Sequence, residues 1–270
     1  MRRLSLDHLT VVDATPLALI DLARATGCAG VCLFMAAMDV LPLMPRFDCL
    51  ADRPLRAAIR QALAGQALAD QAITLDLVYP FTLTGRTDPA ALVPALDCAA
   101  DLGARAVNVL IYDRDSARRA ENFGRFCDLA LGFGLNVAVE FYPPSQIASL
   151  GAGLDLVNAV GRPGRVGLNV DLLHLMRSGG TLDQVAAAPP GTILFGQIAD
   201  GGREAPADPA HEASSHRLRP GEGAFDIAGF VRALPASCPI SIEIPRDDLV
   251  PLLPAPDRAR HAVESVRAAL

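Results

Sequence analysis

The sequence predicts one α/β domain, a single (β/α)8 barrel spanning residues 1–270. Three observations carry that reading. Short apolar segments alternate with helical patterns along the whole chain, in units of about 30 residues that would make eight strand–helix pairs. The apolar segments are mostly continuous runs rather than strict alternations, as expected of strands covered on both faces. No GxGxxG follows the first segment, so the phosphate loop of a doubly wound dinucleotide-binding sheet is missing.

In chain order the strands are expected at 4–12, 30–35, 73–79, 106–112, 136–142, 166–171, 193–199 and 239–244. Helices are expected at 16–26, 53–69, 89–102, 115–133, 145–160, 181–188, 225–234 and 256–269. Proline or a capping residue opens many of them, as in Thr15-Pro16, Asp88-Pro89 and Pro256-Asp257. Gly27, Gly103, Gly134 and Gly164 precede the next strand, where a helix C-cap or tight turn favours positive φ. Two connections are longer than a barrel needs. Residues 36–52 are rich in Met and Pro, and residues 200–224 are rich in Gly, Pro, Ala, His and Arg. Both follow strands, which places them at the mouth where barrels keep their sites, as lids or as surface decoration.

Half of the residues are hydrophobic, enough for a large core. A formal charge of −6 argues against a nucleic-acid surface, which needs clustered positive charge. Every basic residue is arginine, so chemistry that requires a lysine amine is excluded: Schiff-base aldolases, pyridoxal-phosphate enzymes and P-loop hydrolases. The six cysteines form no CxxC pair and sit mostly in apolar runs, as reduced core residues of a cytoplasmic protein would. The first residues, MRRLSLDHLTVV, lack the apolar core of a signal peptide, and no uncharged run is long enough for a membrane span. A small molecule is the expected partner, with neither nucleic acid nor membrane. A homo-oligomer is allowed, because the apolar 35–45 stretch suits a dimer contact as well as a substrate cover.

The strand ends hold the informative residues. The fifth strand carries Glu140, the sixth ends in Asp171, the seventh holds Gln197 and the eighth places Glu243 between isoleucines. A buried carboxylate costs several kcal/mol unless something positive faces it. Three carboxylates and an amide carbonyl converging on one mouth call for a divalent cation, the alternative being salt bridges to arginine. All-oxygen donors suit Mg2+ or Mn2+ best; Co2+ is acceptable and Zn2+ is less favoured. Asp171, His174 and Arg177 follow at three-residue spacing into a glycine pair, leading polar chemistry away from the strand end.

The pieces VAVEFYPP, NVDLLHLMRSGG, FGQIADG, RLRPGEGAFDI and SIEIP occur in that order. With them the chain resembles the xylose-isomerase-like TIM barrels of the sugar phosphate isomerase/epimerase superfamily, over essentially its full length. The resemblance implies that Glu140, Asp171, Gln197 and Glu243 bind one divalent metal and that His174 and Arg217 contact substrate. Many sugar epimerases of this kind have histidine where Gln197 stands. Glutamine there, with DxxHxxRSGG and RLxPGEG, looks more like the branch containing 3-dehydroshikimate dehydratases, although Tyr142 replaces a histidine that some of those carry. The related apurinic-site endonucleases gather a histidine-rich cluster for several zinc ions, which five histidines in an acidic chain do not match.

The expected chemistry is therefore metal-assisted proton abstraction beside a carbonyl, through a metal-stabilised enediolate, on a polyhydroxy or carboxylated substrate. Glu140 and Glu243 are the candidate base and acid, and His174 the candidate hydrogen-bond donor to substrate. Arg177 and Arg217 are candidates to hold an anionic group. Reprotonation elsewhere gives an isomerase or epimerase. Loss of a β-hydroxyl gives a dehydratase, and a non-catalytic sugar-acid binder is the remaining alternative.

Overall fold

A computed structural model describes residues 2–65 and 72–270. Eight parallel strands close into a barrel in sequence order: β1 (Leu4–Asp7), β2 (Gly30–Phe34), β3 (Thr74–Leu83), β4 (Ala106–Ile111), β5 (Asn136–Glu140), β6 (Val166–Asp171), β7 (Ile193–Ile198) and β8 (Ile240–Ile242). The (β/α)8 architecture expected from the alternation is the one observed. Each strand pairs with the next, and β8 returns to β1 through Leu4–Ile240 and Leu6–Ile242. Among the described residues no helix is long and apolar enough to cross a membrane.

The helices are α1 (Pro16–Ala25), α2 (Arg53–Ala64), α3 (Val93–Asp101), α4 (Ser116–Gly132), α5 (Leu150–Val160), α6 (Leu172–Arg177), α7 (Leu182–Ala186), α8 (Pro209–Ser215), α9 (Ile227–Ala233) and α10 (Ala255–Ala269). Local chemistry sets their starts. Thr15, Asp115 and Ser149 each accept a backbone N–H of the first turn, and Thr181 with Gln184 closes a reciprocal capping box.

Several boundaries differ from expectation for visible reasons. The first strand stops at Asp7 rather than running to residue 12, because the Asp7 carboxylate takes the N–H of Leu9 and starts a 3-10 turn over His8–Val11. The fifth helix begins at Leu150, since Ser145 closes its own turn with Ile147. The third strand runs on to Leu83 through a cis Tyr79–Pro80 bond. The end of the helix expected at 53–69 falls partly on residues outside the described set. Two short helices, α6 and α8, were not anticipated, and α8 lies within the stretch read as a long loop.

Strand residues alternate between two apolar clusters, the consequence of the period-2 geometry of a strand. One cluster joins Leu6, Val31, Leu33, Val107, Val137 and Leu168 to helix residues such as Leu19, Phe123 and Phe126. The other, inside the barrel, holds Cys32, Phe34, Leu77, Tyr79, Ala106, Ala138 and Phe195. Asn108, Glu140 and Gln197 lie two residues beyond Ala106, Ala138 and Phe195, so the same parity that points those residues inward aims the polar ones at the mouth. All six cysteines are buried and free, as expected of core residues.

Candidate active site

Glu140 closes β5 and Asp171 closes β6; Glu243 follows β8 by one residue, and Arg217 follows α8 by two. All four are buried, Asp171 completely and Arg217 at 2% exposure. Asp171 caps α6 through Oδ1, which accepts the N–H of His174 at 2.9 Å. Its Oδ2 accepts from Arg217 Nη1 at 2.6 Å, and Arg217 Nη2 lies 3.4 Å from Glu243 Oε1. Arg217 Nε donates to the carbonyl of Ala213 at 2.8 Å. The 200–224 stretch thus sends a guanidinium back among the strand-end acids.

Two of the expected ligands, Glu140 and Asp171, approach an arrangement a metal could use, joined by His174, which the sequence marks as a substrate contact. Glu140, Asp171 and His174 offer ligand atoms that all lie within 4.8 Å of one another. His174 Nε2 is 3.3 Å from Glu140 Oε1, and the ring of Tyr142 packs at 4.8 Å against the imidazole. Glu243 Oε2 is buried with no hydrogen-bond partner, an oxygen left for something positive or for a proton. Two buried carboxylates, an imidazole and this orphaned oxygen are donors that fit a divalent ion.

Both polar atoms of the Gln197 amide are engaged by other side chains. Its Nε2 donates to the Tyr79 hydroxyl at 2.9 Å, and its Oε1 accepts from Asn169 Nδ2. It belongs to a chain of buried side chains across the barrel. Tyr79 donates to Asp7 at 2.6 Å, Asn169 also donates to Asn108 Oδ1 at 3.1 Å, and Asn108 donates to Glu140 Oε2 at 2.5 Å. The sequence reading missed this network. Its signal was present: Asp7 ends an apolar strand as Glu140 does, and Asn108 and Asn169 interrupt apolar runs.

Arg177 lies elsewhere. Its guanidinium makes a two-pronged ion pair with Glu212 of α8 at 2.7 and 2.6 Å, donates to the Gly202 carbonyl at 3.0 Å and stacks 5.3 Å over the Phe225 ring. With both side chains under 10% exposed, it ties α6 to α8 rather than facing the mouth.

Burial and charge divide the acids. Burial pushes the Glu243 carboxyl well above its ordinary range, with Arg217 only partly offsetting it. Burial likewise raises Asp7 to about 6, against the hydrogen bond from Tyr79. Burial also works to raise Asp171, but the Arg217 guanidinium and His174 outweigh it and hold the carboxyl below its ordinary value. The result is an ionised Asp171 beside a Glu243 that holds a proton readily.

These residues floor a cavity of about 350 Å³ at the C-terminal ends of the strands. Glu140, His174, Arg217 and Glu243 line it on one side. The other walls come from Leu9, Phe34, Phe81 and Leu110 at strand ends, with Met38 and Leu41 from the connection after β2.

Solved structures share this architecture. A fusion protein of a xylose isomerase-like TIM barrel and a 4-hydroxyphenylpyruvate dioxygenase superposes with a TM-score of 0.79 at 21% identity. The match covers 98% of this chain and 42% of the fusion, so the chain spans under half of that relative's length. The IOLI protein, solved with a bound zinc atom, matches with a TM-score of 0.75 at 19% identity over 99% of this chain and 96% of its own. The probable 3-DHS dehydratase AsbF of Bacillus anthracis, involved in petrobactin synthesis, gives 0.73 at 14% identity, covering 99% of both chains. At such identities the likeness establishes the fold. No curated protein sequence matches the chain significantly. The family model described as xylose isomerase-like TIM barrel matches residues 20–269, and the chain belongs to that family.

Proposed function

We propose that the protein is a metal-dependent enzyme that removes a proton beside the carbonyl of a small hydroxy-carbonyl substrate, an isomerase or epimerase in its simplest outcome. One observation carries the reading. Glu140, Asp171, His174, Arg217 and Glu243, drawn from four different parts of the chain, converge around the floor of a single cavity, with one carboxylate oxygen left unpartnered. Glu140 and Asp171 with His174 would hold the ion, and the unpartnered Oε2 of Glu243 is open to it when that carboxyl is deprotonated. Gln197 remains a candidate ligand, although Asn169 holds its carbonyl oxygen in this structure. A bound divalent ion supplies Lewis-acid polarisation of a carbonyl oxygen. The imidazole in the donor set widens the acceptable ions from Mg2+ and Mn2+ to Zn2+, and the bound zinc of the IOLI protein supports a divalent ion here.

The side chains divide the proton work. Glu140, fixed by Asn108, takes the proton, and the C–H electron pair forms the enediol double bond as the carbonyl pair moves to oxygen. His174 has one ring N–H, on the nitrogen not given to the ion, to donate to that oxygen. Glu243, which holds a proton readily, gives it to the former carbonyl carbon while the adjacent hydroxyl passes its proton to the first oxygen and becomes the new carbonyl, which completes the isomerisation. Arg217 keeps Asp171 ionised and the floor ordered.

A second reading uses the same first step. A proton on Glu243 is equally placed to leave with a β-hydroxyl as water, which makes the enzyme a dehydratase; the fold shared with AsbF supports that branch. Incubation in D2O with a ketose panel, alongside 3-dehydroshikimate watched for an aromatic ultraviolet band, separates the two outcomes. Deuterium beside the carbonyl is expected, lost on chelation and lost in Glu140→Gln. If Glu140→Gln exchanges at the full rate, the proton-abstraction assignment is wrong.

A further inference from the structure

The cavity divides more sharply than a sugar-binding pocket needs. The floor groups lie toward β5, β6 and β8, whereas Leu9, Phe34, Phe81, Leu110, Met38 and Leu41 supply the apolar lining on the β1–β4 side, among Tyr79, Thr82, Asn108 and Tyr112. Hydrogen-bonding groups near that wall already have partners. Asn108 gives its amide to Glu140 and receives from Asn169, and the Tyr79 hydroxyl donates to Asp7 and accepts from Gln197. Ser214 donates to the Ala210 carbonyl and is exposed at the rim, where Tyr112 is also open to water. Among the described residues the half-buried hydroxyls of Thr82 and, beside Glu140, of Tyr142 also line the cavity.

An open polyhydroxy chain laid here would strand several hydroxyls, each at a cost of roughly five- to 150-fold in affinity. A hydrocarbon group would instead gain about fourfold for each methylene withdrawn from water. The cover over this wall is itself apolar. The connection after β2 is pinned at its base by the Ala37 N–H to the Phe47 carbonyl at 2.9 Å, which projects Met38, Val40 and Leu41 over the cavity. Val40 lines the cavity yet is 76% exposed, so apolar surface stands there without a protein partner.

We propose that the substrate is amphipathic: an oxo-acid or hydroxy-carbonyl head on the Glu140–Arg217–Glu243 floor, and an alkyl or aryl group against the Leu110–Phe81 wall beneath Met38. The assignment of head and tail rests on the proton-abstraction reading above. The apolar wall itself does not.

Calorimetric titration of the Mn2+-loaded protein with pyruvate, 4-methyl-2-oxopentanoate, phenylpyruvate and D-fructose tests it, together with NMR detection of deuterium uptake at C3 of each oxo acid. Affinity should rise at least tenfold from pyruvate to 4-methyl-2-oxopentanoate. Met38→Ala and Leu110→Thr should each remove most of that gain while leaving pyruvate unchanged. A flat series, tighter binding of D-fructose, or no heat from any oxo acid overturns the proposal. A rising series with no deuterium uptake upholds the apolar subsite and removes the proton-abstraction reading. Uptake with a flat series does the reverse.

Discussion

Arg217→Met removes the guanidinium from among Asp171, Glu243 and the Ala213 carbonyl while keeping a long apolar side chain. The Arg217–Asp171 pair has side-chain exposures of 2% and 0%, so solvent does little to screen it. Breaking such a buried pair by removing one partner costs about 3–5 kcal/mol, because the remaining carboxylate keeps its desolvation penalty. The loss should depend on pH with a definite sign. In the native protein Asp171 is held below its ordinary value, so its contribution to stability is present at neutral pH and lost as pH falls through that depressed pKa. Without Arg217, only His174 opposes burial and Asp171 takes a proton at higher pH, so the gap between native protein and variant narrows toward acid. Saturating Mn2+ offers a second cation to the same oxygens, and at a hundred times its Kd a ligand stabilises by about 2.7 kcal/mol. Urea unfolding at pH 7.5 and pH 5, each with and without Mn2+, measures all three effects. A loss below about 1 kcal/mol at neutral pH, or a gap that does not change with pH, would refute the assignment of Arg217 as the internal counter-ion.

Three other perturbations have defined outcomes. His8 is buried neutral, with Nε2 on the Ala14 carbonyl at 3.0 Å, and burial depresses its pKa to about 4 from 6.5. Its contribution is therefore full above pH 6.5 and falls by about 3 kcal/mol as pH drops toward 4; Asp7, raised to about 6, works in the opposite direction. The His8 component is read as the difference between native protein and His8→Gln, and denaturant curves with equal pH slopes would contradict it. Glu212→Gln should cost about 3 kcal/mol and increase hydrogen exchange across 200–224, since it breaks the buried pair with Arg177. Unchanged exchange there would show that the pair does not hold the segment. Asp200 accepts four backbone N–H groups, from Gly201, Gly221, Gly223 and Phe225. Asp200→Asn turns a donor toward part of that cradle and should lower stability by about 2–3 kcal/mol in the same unfolding assay.

The barrel is readable because most strands are apolar runs, with Asn108 within its run and Glu140, Asp171 and Gln197 at or near the ends of theirs. Glu140, Asp171 and Glu243 stood out for the same reason: a charge inside such a run has to face something. What faces it was not readable. The converging acids point to a metal, with arginine as the alternative, and an arginine 46 residues beyond Asp171 does fold back to it. Such a return is decided by tertiary packing of the 200–224 segment and leaves no local pattern in the sequence. Gln197 shows the same limit. Its place at a strand end was clear, but its two hydrogen-bond partners, Tyr79 and Asn169, come from β3 and β6. Helices α6 and α8 are each under two turns long; α6 continues the apolar run of β6 without a break and α8 lies among the Gly, Pro and Ala residues of the 200–224 stretch.

Arg177 and Arg217 were both read as substrate clamps, and their actual arrangement explains why a long connection can serve a site that needs fixed geometry. Asp171 caps the start of α6 and receives Arg217, which follows the end of α8. Arg177 closes the end of α6 and receives Glu212 from within α8. The two short helices therefore exchange ion pairs in opposite directions, one at the cavity floor and one behind it. Each pair limits the motion the other would allow. Loosening the rear pair by Glu212→Gln frees α8 to shift and so moves the guanidinium of Arg217 relative to Asp171. The rear pair does not line the cavity, yet it holds the helix whose Ala213 carbonyl receives the Arg217 guanidinium, the positive charge that keeps Asp171 ionised.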